Sequence, residues 1–406
     1  MADQRGTRRT TRLGLVALVA GLLLASLVAV ALPPRPSAAA AGDPEQLLFD
    51  SDRTGNFEIY LMGTDGNDVR QLTNDPAYDS WWPVGSPDGT KILFYRNTAG
   101  SKHPDYTSNS LWVMDADGGD VHQLLAADAN GWGLQGHAEW SPDGSQLVMF
   151  GGPAISPQLQ VTAADGTGLT THKSASVAGT SVLDPAWGGP GLTYVSCPTK
   201  ACKSTAFEIY RSTADGSDPQ QLTHDDLTDN DPAWSPDGTQ IAWLRQTGTR
   251  NLPALPNAPV WAIYLMGADG SNQHAVIDDG NINSKPAWST DGSTIYFHRL
   301  VYGGEKGFQI WKVAPDGSGL TELSKGQAGS NEFPVVFTPA GATATTSTAA
   351  PSPGAPVPST TTPTAGPAKK QNPLGALLVL LVLVAVVVAI VVAVSRRISR
   401  GAGAKR

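Results

Sequence analysis

Eight aspartates fall in three tight groups along this 406-residue chain: Asp75 and Asp79; Asp225, Asp226, Asp229 and Asp231; and Asp278 and Asp279. His224 and His274 lie beside two of these groups. Carboxylates that converge can ligate a hard cation such as Ca²⁺ through oxygen, and in a cleft they can serve as general acid and base. Acids of this kind also cap turns and solvate rims, and the middle spacing matches no established calcium loop. Asp75, Asp79, Asp225, Asp229, Asp231, Asp278 and Asp279 are taken as candidate ligand-binding residues. A bound Ca²⁺ is the one cofactor they suggest. Trp81, Trp132 and Trp261, together with Trp82, are candidates of a second kind, because exposed aromatic rings suit a protein or glycan ligand. Cys197 and Cys202 are the two cysteines. Their close spacing in an exported chain suits a local disulfide better than a metal site.

Catalytic signatures are missing. The chain has no Gly-x-Ser-x-Gly, no His-Glu-x-x-His and no Gly-Lys pair of a phosphate loop. Gly131-Trp-Gly133-Leu-Gln-Gly136 fits a dinucleotide pattern, but a strand-like segment follows it where a helix would be needed. No catalytic residue is assigned.

The elements that must position these residues come from a repeat. Ile59-Tyr60, Asp65-Gly66 and Gln71-Leu72-Thr73 return as Ile209-Tyr210, Asp215-Gly216 and Gln221-Leu222-Thr223. The Asp-Gly glycines stand at 66, 118, 166, 216, 270 and 317, a period near fifty residues. A second unit alternates with the first, reading Trp140-Ser-Pro-Asp-Gly144, Trp234-Ser-Pro-Asp-Gly238 and Trp288-Ser-Thr-Asp-Gly292. Ser86-Pro87-Asp88-Gly89 is a copy with Gly85 in the Trp position. Pro-Asp-Gly and Asp-Gly between apolar runs spell tight hairpins. Each period therefore holds four short strands: A (Pro-Ala-Trp), B (an apolar run such as Ile92-Leu93-Phe94), C (Ile-Tyr) and D (Gln-Leu-Thr). The B runs are apolar without alternation, so both faces must be covered, as happens when four-stranded sheets stack around a ring. The repeat opens on a B strand, Leu47-Leu48-Phe49, and ends on a lone A-like strand, Pro334 to Phe337. That last strand can complete the first sheet. The expectation is an all-β, six-bladed β-propeller of four-stranded blades with one C-terminal transmembrane helix.

Pro-Ala-Trp-Ser-Pro-Asp-Gly with Ile-Tyr, Asp-Gly and Leu-Thr resembles the TolB-type propeller repeat, a relative of WD-repeat propellers, over about residues 45–341. The resemblance implies a fold and transfers no partner-binding residue, because propellers host binding and catalysis alike.

The ends set the expected location. Residues 1–41 carry a basic leader, an apolar run and small residues, the pattern of an export signal or, if uncut, an anchor. Residues 43–341 would form the propeller. Residues 342–373, rich in Pro, Thr and Ala, read as a stalk. Residues 374–394 lack any charge and are long enough to span a bilayer, and the basic tail 395–406 would stay cytoplasmic. Residues 42–342 hold 16 basic and 35 acidic side chains, a net charge of −19. This balance argues against nucleic acid as a partner. Antiparallel strands put the A–B and C–D turns on one face, and the long B–C and D–A connections on the other. The long-loop face is the expected working surface. The reading is a membrane-anchored extracytoplasmic binding or scaffold module of the cell envelope, for an envelope protein, peptide or glycan. Its alternative is a lyase or hydrolase that uses channel-mouth acids, with or without a metal.

Overall fold

The computed structural model describes residues 45–340 except 102, 129, 155, 173–180, 198–206, 253–254 and 302–306. Each period folds as one antiparallel four-stranded sheet, and there are six such sheets among the described residues. Blade 1 runs from Asn331–Phe337 through Gln46–Ser51 and Glu58–Gly63 to Arg70–Gln71. The C-terminal strand is therefore the innermost strand of the first sheet and closes the ring. The other innermost strands are Tyr78–Gly85, Leu134–Trp140, Val182–Gly188, Asp229–Trp234 and Asn283–Trp288, in blades 2 to 6.

Why the B strands are apolar throughout is visible at Leu47 and Leu48. Successive side chains point to opposite faces. Leu47 packs with Phe49 and Tyr60 against Tyr296 and Ile310 of blade 6, whereas Leu48 packs with Ile59 against Ile92 and Phe94 of blade 2. Both are fully buried. Each sheet has two neighbours and no free face.

The repeated polar residues fix the turns. In all four Ser-x-Asp-Gly copies the Ser hydroxyl donates to the Asp carboxylate, at 2.6 Å for Ser86–Asp88 and Ser141–Asp143 and 2.7 Å for Ser235–Asp237 and Ser289–Asp291. The same hydroxyl accepts the N–H five residues on, at 2.9 Å in each copy. These bonds hold the turn carboxylates below their usual range, Asp143 at about 2. The Thr of Gln-Leu-Thr clamps a D strand only two residues long. Thr223 accepts the Ile209 N–H at 2.9 Å and donates to Glu208 at 2.6 Å, and Thr73 does the same for Ile59 and Glu58. The Trp of Pro-Ala-Trp ties neighbouring blades: Trp288 Nε1 donates to the Ala233 carbonyl at 3.1 Å, and Trp140 Nε1 to that of Val84 at 3.3 Å. Gly85 replaces this Trp where the closing strand needs the space, since a Cβ there would sit 2.1 Å from the Phe337 ring.

Among the described residues no helix is long and apolar enough to cross a membrane. Segments 1–41, 342–373, 374–394 and 395–406 lie outside the described residues. Cys197 is buried and disulfide-bonded, and Cys202 also lies outside the described residues.

Candidate functional site

One residue in every innermost strand has a left-handed backbone: Trp82 (φ 55°), His137 (53°), Asp184 (47°), Asp231 (48°), Lys285 (47°) and Phe333 (50°). Each sits at a register shift between strand A and strand B. The bulge leaves the next backbone N–H without a ladder partner, so proline fits there without loss. Five of the six are followed by one: Pro83, Pro185, Pro232, Pro286 and Pro334. Non-glycine residues in this conformation are strained by about 1–3 kcal/mol each. Six repeats of that strain at one register mark a built feature, a collar around the channel.

The backbone of the collar is uniform and its chemistry is not. Trp82 stacks on His137 at 3.7 Å and packs against Phe333 at 4.8 Å. Lys285 Nζ lies 3.9 Å from the Trp82 ring centre and 3.1 Å from Glu139 Oε1. His137 Nδ1 is 2.7 Å from Asp184 Oδ1, and its Nε2 is 2.8 Å from the Tyr106 hydroxyl. Burial, then the nearby Asp184 charge, pushes Asp231 up to about 6, against the opposing pull of His137 and Lys285. The Phe333 N–H donates to Nδ1 of His298 at 3.0 Å. His298 itself is wholly buried, which lowers it to about 3.

A cavity of about 280 Å³ rests on this collar. Its walls run from the collar residues toward the A–B turns and include the Pro-Ala-Trp residues of blades 4, 5 and 6, Val335, Val336, Pro236 and Thr290. It therefore lies on the short-turn side of the collar, opposite the long-loop face taken from the sequence as the working surface.

The sequence-derived candidates divide sharply. Asp231 reaches the collar and lines the cavity. Asp229, two residues earlier on the strand, is fully buried and held by Arg245 at 2.8 Å through two bonds. Asp225 binds the same guanidinium at 2.8 Å. Equivalent clasps join Asp75 to Arg96 at 3.6 Å and Asp279 to Arg299 at 3.0 Å. Each of these arginines also lies over the rings of its own sheet. Asp79 is buried and accepts the N–H groups of Phe57 and Gly100, both at 3.0 Å. Asp278 is exposed and accepts from Thr247 at 3.0 Å. Of these acids Asp231 reaches the collar, whereas Asp75, Asp225, Asp229 and Asp279 are intercepted by an arginine of strand B in their own blade. The tryptophans need a similar correction. Trp81 and Trp82 lie in an innermost strand, and Trp81 is fully buried with its Nε1 donating to Asn97 at 2.6 Å. Trp132 and Trp261 are partly buried against the hydrophobic clusters, so neither offers a free platform.

His137, Asp184, Lys285 and Phe333 were not among the sequence candidates, and Trp82 was named only as a loop-face aromatic. Their signal was positional: each stands immediately before the Pro-Ala-Trp unit or its variant.

No family model matches the chain. A TolB homolog of Chlorobaculum tepidum is 34% identical over 125 residues, covering 30% of this chain and 25% of that protein. An uncharacterized protein of Agrobacterium fabrum is 36% identical over 107 residues, 26% of this chain and 36% of its own. These matches span about a quarter to a third of the relatives' own length. Among solved structures, TolB from Acinetobacter baumannii superposes with a TM-score of 0.55 at 14% identity, over 72% of this chain and 66% of that one. That likeness concerns the fold.

Proposed function

We propose that this chain, a TolB-type β-propeller, is a binding module of the cell envelope that takes a short extended segment of a partner protein into the mouth of its channel. One observation carries the reading: a small cavity with apolar Pro-Ala-Trp walls and a polar floor of unlike charges. Ligand pockets commonly measure about 300–1,000 Å³. A cavity of about 280 Å³ suits a side chain or chain end better than a polymer. Likeness to TolB homologs supports an envelope partner. The proposal includes the ends of the chain: an export leader or anchor at 1–41, a stalk at 342–373, a membrane helix at 374–394 and a cytoplasmic tail, which together would hold the ring outside the membrane.

The test uses the full chain in its own cells. A photo-crosslinking residue at Thr290, on the cavity rim, should yield one discrete adduct with an envelope protein, and Ala233→Phe, which fills the cavity, should abolish it. An adduct that forms from Thr249 on the long-loop face and is indifferent to Ala233→Phe would overturn the reading.

A second reading, a propeller lyase or hydrolase, is favoured by Asp231 at about 6 beside the Asp184 carboxylate. A carboxyl raised in this way can serve as a general acid. Polymer turnover abolished by Asp231→Asn in a folded ring would favour it.

A further inference from the structure

Three collar side chains from consecutive blades bring ligand atoms together. His137 Nδ1 and one carboxylate oxygen each from Asp184 and Asp231 all lie within 4.8 Å of one another. We propose that His137, Asp184 and Asp231 bind one divalent transition-metal ion of the zinc or manganese class. This inference stands apart from the partner-binding reading and holds whichever segment enters the cavity.

The state of His137 points to such a ligand independently of the acids. The residue is 6% exposed, and its Nδ1 makes no hydrogen bond. It faces Asp184 Oδ1 at 2.7 Å without hydrogen-bond geometry. Its other nitrogen is within hydrogen-bond distance of the Tyr106 hydroxyl at 2.8 Å. With the ring proton on Nε2 donated to that oxygen, Nδ1 presents a bare lone pair to a carboxylate oxygen. Two electron-rich atoms at that separation need a positive charge between or beside them, a proton or a metal ion. Metal-bound histidines commonly have this arrangement, in which the second nitrogen is fixed by an outer partner.

Charge agrees. Lys285 is the nearest fixed cation, and it is directed to Glu139 and the Trp82 face. Its charge and its backbone N–H act on Asp231, but among the described residues neither Asp184 nor Asp231 has a salt bridge to a lysine or arginine. One imidazole with two carboxylates is a donor set for zinc or manganese, whereas calcium prefers six to eight oxygens. Bonds of about 2.0–2.2 Å place neighbouring ligands roughly 3–4 Å apart. Both carboxylates are partly exposed, so small side-chain rotations could bring the set to that spacing. Three protein ligands would leave open coordination positions toward the cavity.

The test is metal binding by chelator-stripped full-length protein in detergent, followed by Mn²⁺ electron paramagnetic resonance and by Zn²⁺ titration. The expected result is one ion per chain, with affinity falling by at least the ~10–100-fold typical of losing an outer partner in His137→Asn and in Asp231→Asn. Asparagine tolerates positive φ, so both variants should keep the wild-type circular dichroism spectrum. Lys285→Met should tighten binding by removing a neighbouring positive charge. A double variant, Asp278→Asn with Asp279→Asn, controls for exposed acids and should bind as wild type does. No saturable binding by wild type, or binding lost in the control variant and kept in His137→Asn, would overturn the proposal.

Discussion

The hairpin turns and the channel collar are equally regular in backbone and opposite in chemistry. Ser, Asp and Gly recur in the A–B turns with the same bonds at distances that agree within about 0.1 Å. The collar repeats φ within 47–55° across six blades and carries Trp, His, Asp, Asp, Lys and Phe. Where side chain and backbone repeat together, the side chain is making the fold. Where only the backbone repeats, the fold is holding a position open for other chemistry. The Arg clasps belong to the first group although their acids look functional in sequence. Substitutions at clasp, turn and closure should therefore change stability, and substitutions at the collar should change binding.

The largest effect is expected at the ring closure. Phe337 is 3% exposed and fills the space that Gly85 leaves. Phe337→Ala should cost about 3–5 kcal/mol by cavity formation, measured by denaturant unfolding. Gly85→Trp would restore the repeat's own residue and should nevertheless destabilise, because Phe337 is already there. A neutral Gly85→Trp would break the account of closure.

Arg245→Met comes next. It leaves the Asp229 carboxylate, fully buried, without its partner. Breaking a buried pair in this way costs about 3–5 kcal/mol. Thermal unfolding of Arg245→Met and of Arg245→Met with Asp229→Leu should show partial recovery in the double variant.

The pH dependence should be smaller and should come from the closing strand. Glu332 stands directly opposite Asp50 across the closing strand pair, and both are buried. Burial raises Glu332 to about 7, and burial with the Glu332 charge raises Asp50. An unfolded glutamate titrates near 4.3, so the folded ring holds this proton more tightly. Stability from this group is full below the unfolded value and is lost as pH rises through about 7. His298 works in the other direction: lowered to about 3, it contributes stability above about 6.5 that is lost as pH falls. Glu332→Gln should reduce the alkaline loss, part of which remains with Asp50 and with Glu208, also raised to about 7 by burial, and should leave the acid limb unchanged in a pH series of melting temperatures.

The smallest stability change is expected at the collar itself. Asp231→Asn keeps shape and relieves a carboxyl already raised to about 6, so unfolding should shift by less than about 1 kcal/mol.

Much of the architecture was legible in the sequence. The period, the four strands of each blade and the closing role of Pro334 to Phe337 follow from turn chemistry and apolar runs, which are local. The site was less legible, for a physical reason. Asp75, Asp225, Asp229 and Asp279 look like free carboxylates until the arginines that hold them are placed beside them. Asp229 and Arg245 are sixteen residues apart, and only the A–B pairing brings them together. Trp81 reads as an exposed aromatic in the sequence because its strand begins earlier than the motif indicates. The collar went unseen because its six positions carry five residue types with no shared pattern; their common feature is a backbone angle, for which the following proline is the one written trace.

The most direct test is a triple collar variant, His137→Asn with Asp184→Asn and Asp231→Asn, whose melting temperature and Mn²⁺ binding are measured on one sample. The account predicts a folded ring melting within about 5 °C of wild type that no longer binds the ion. A collapse in melting temperature as large as that of Arg245→Met would mean that the collar holds the fold together, and would contradict the separation between scaffold and site.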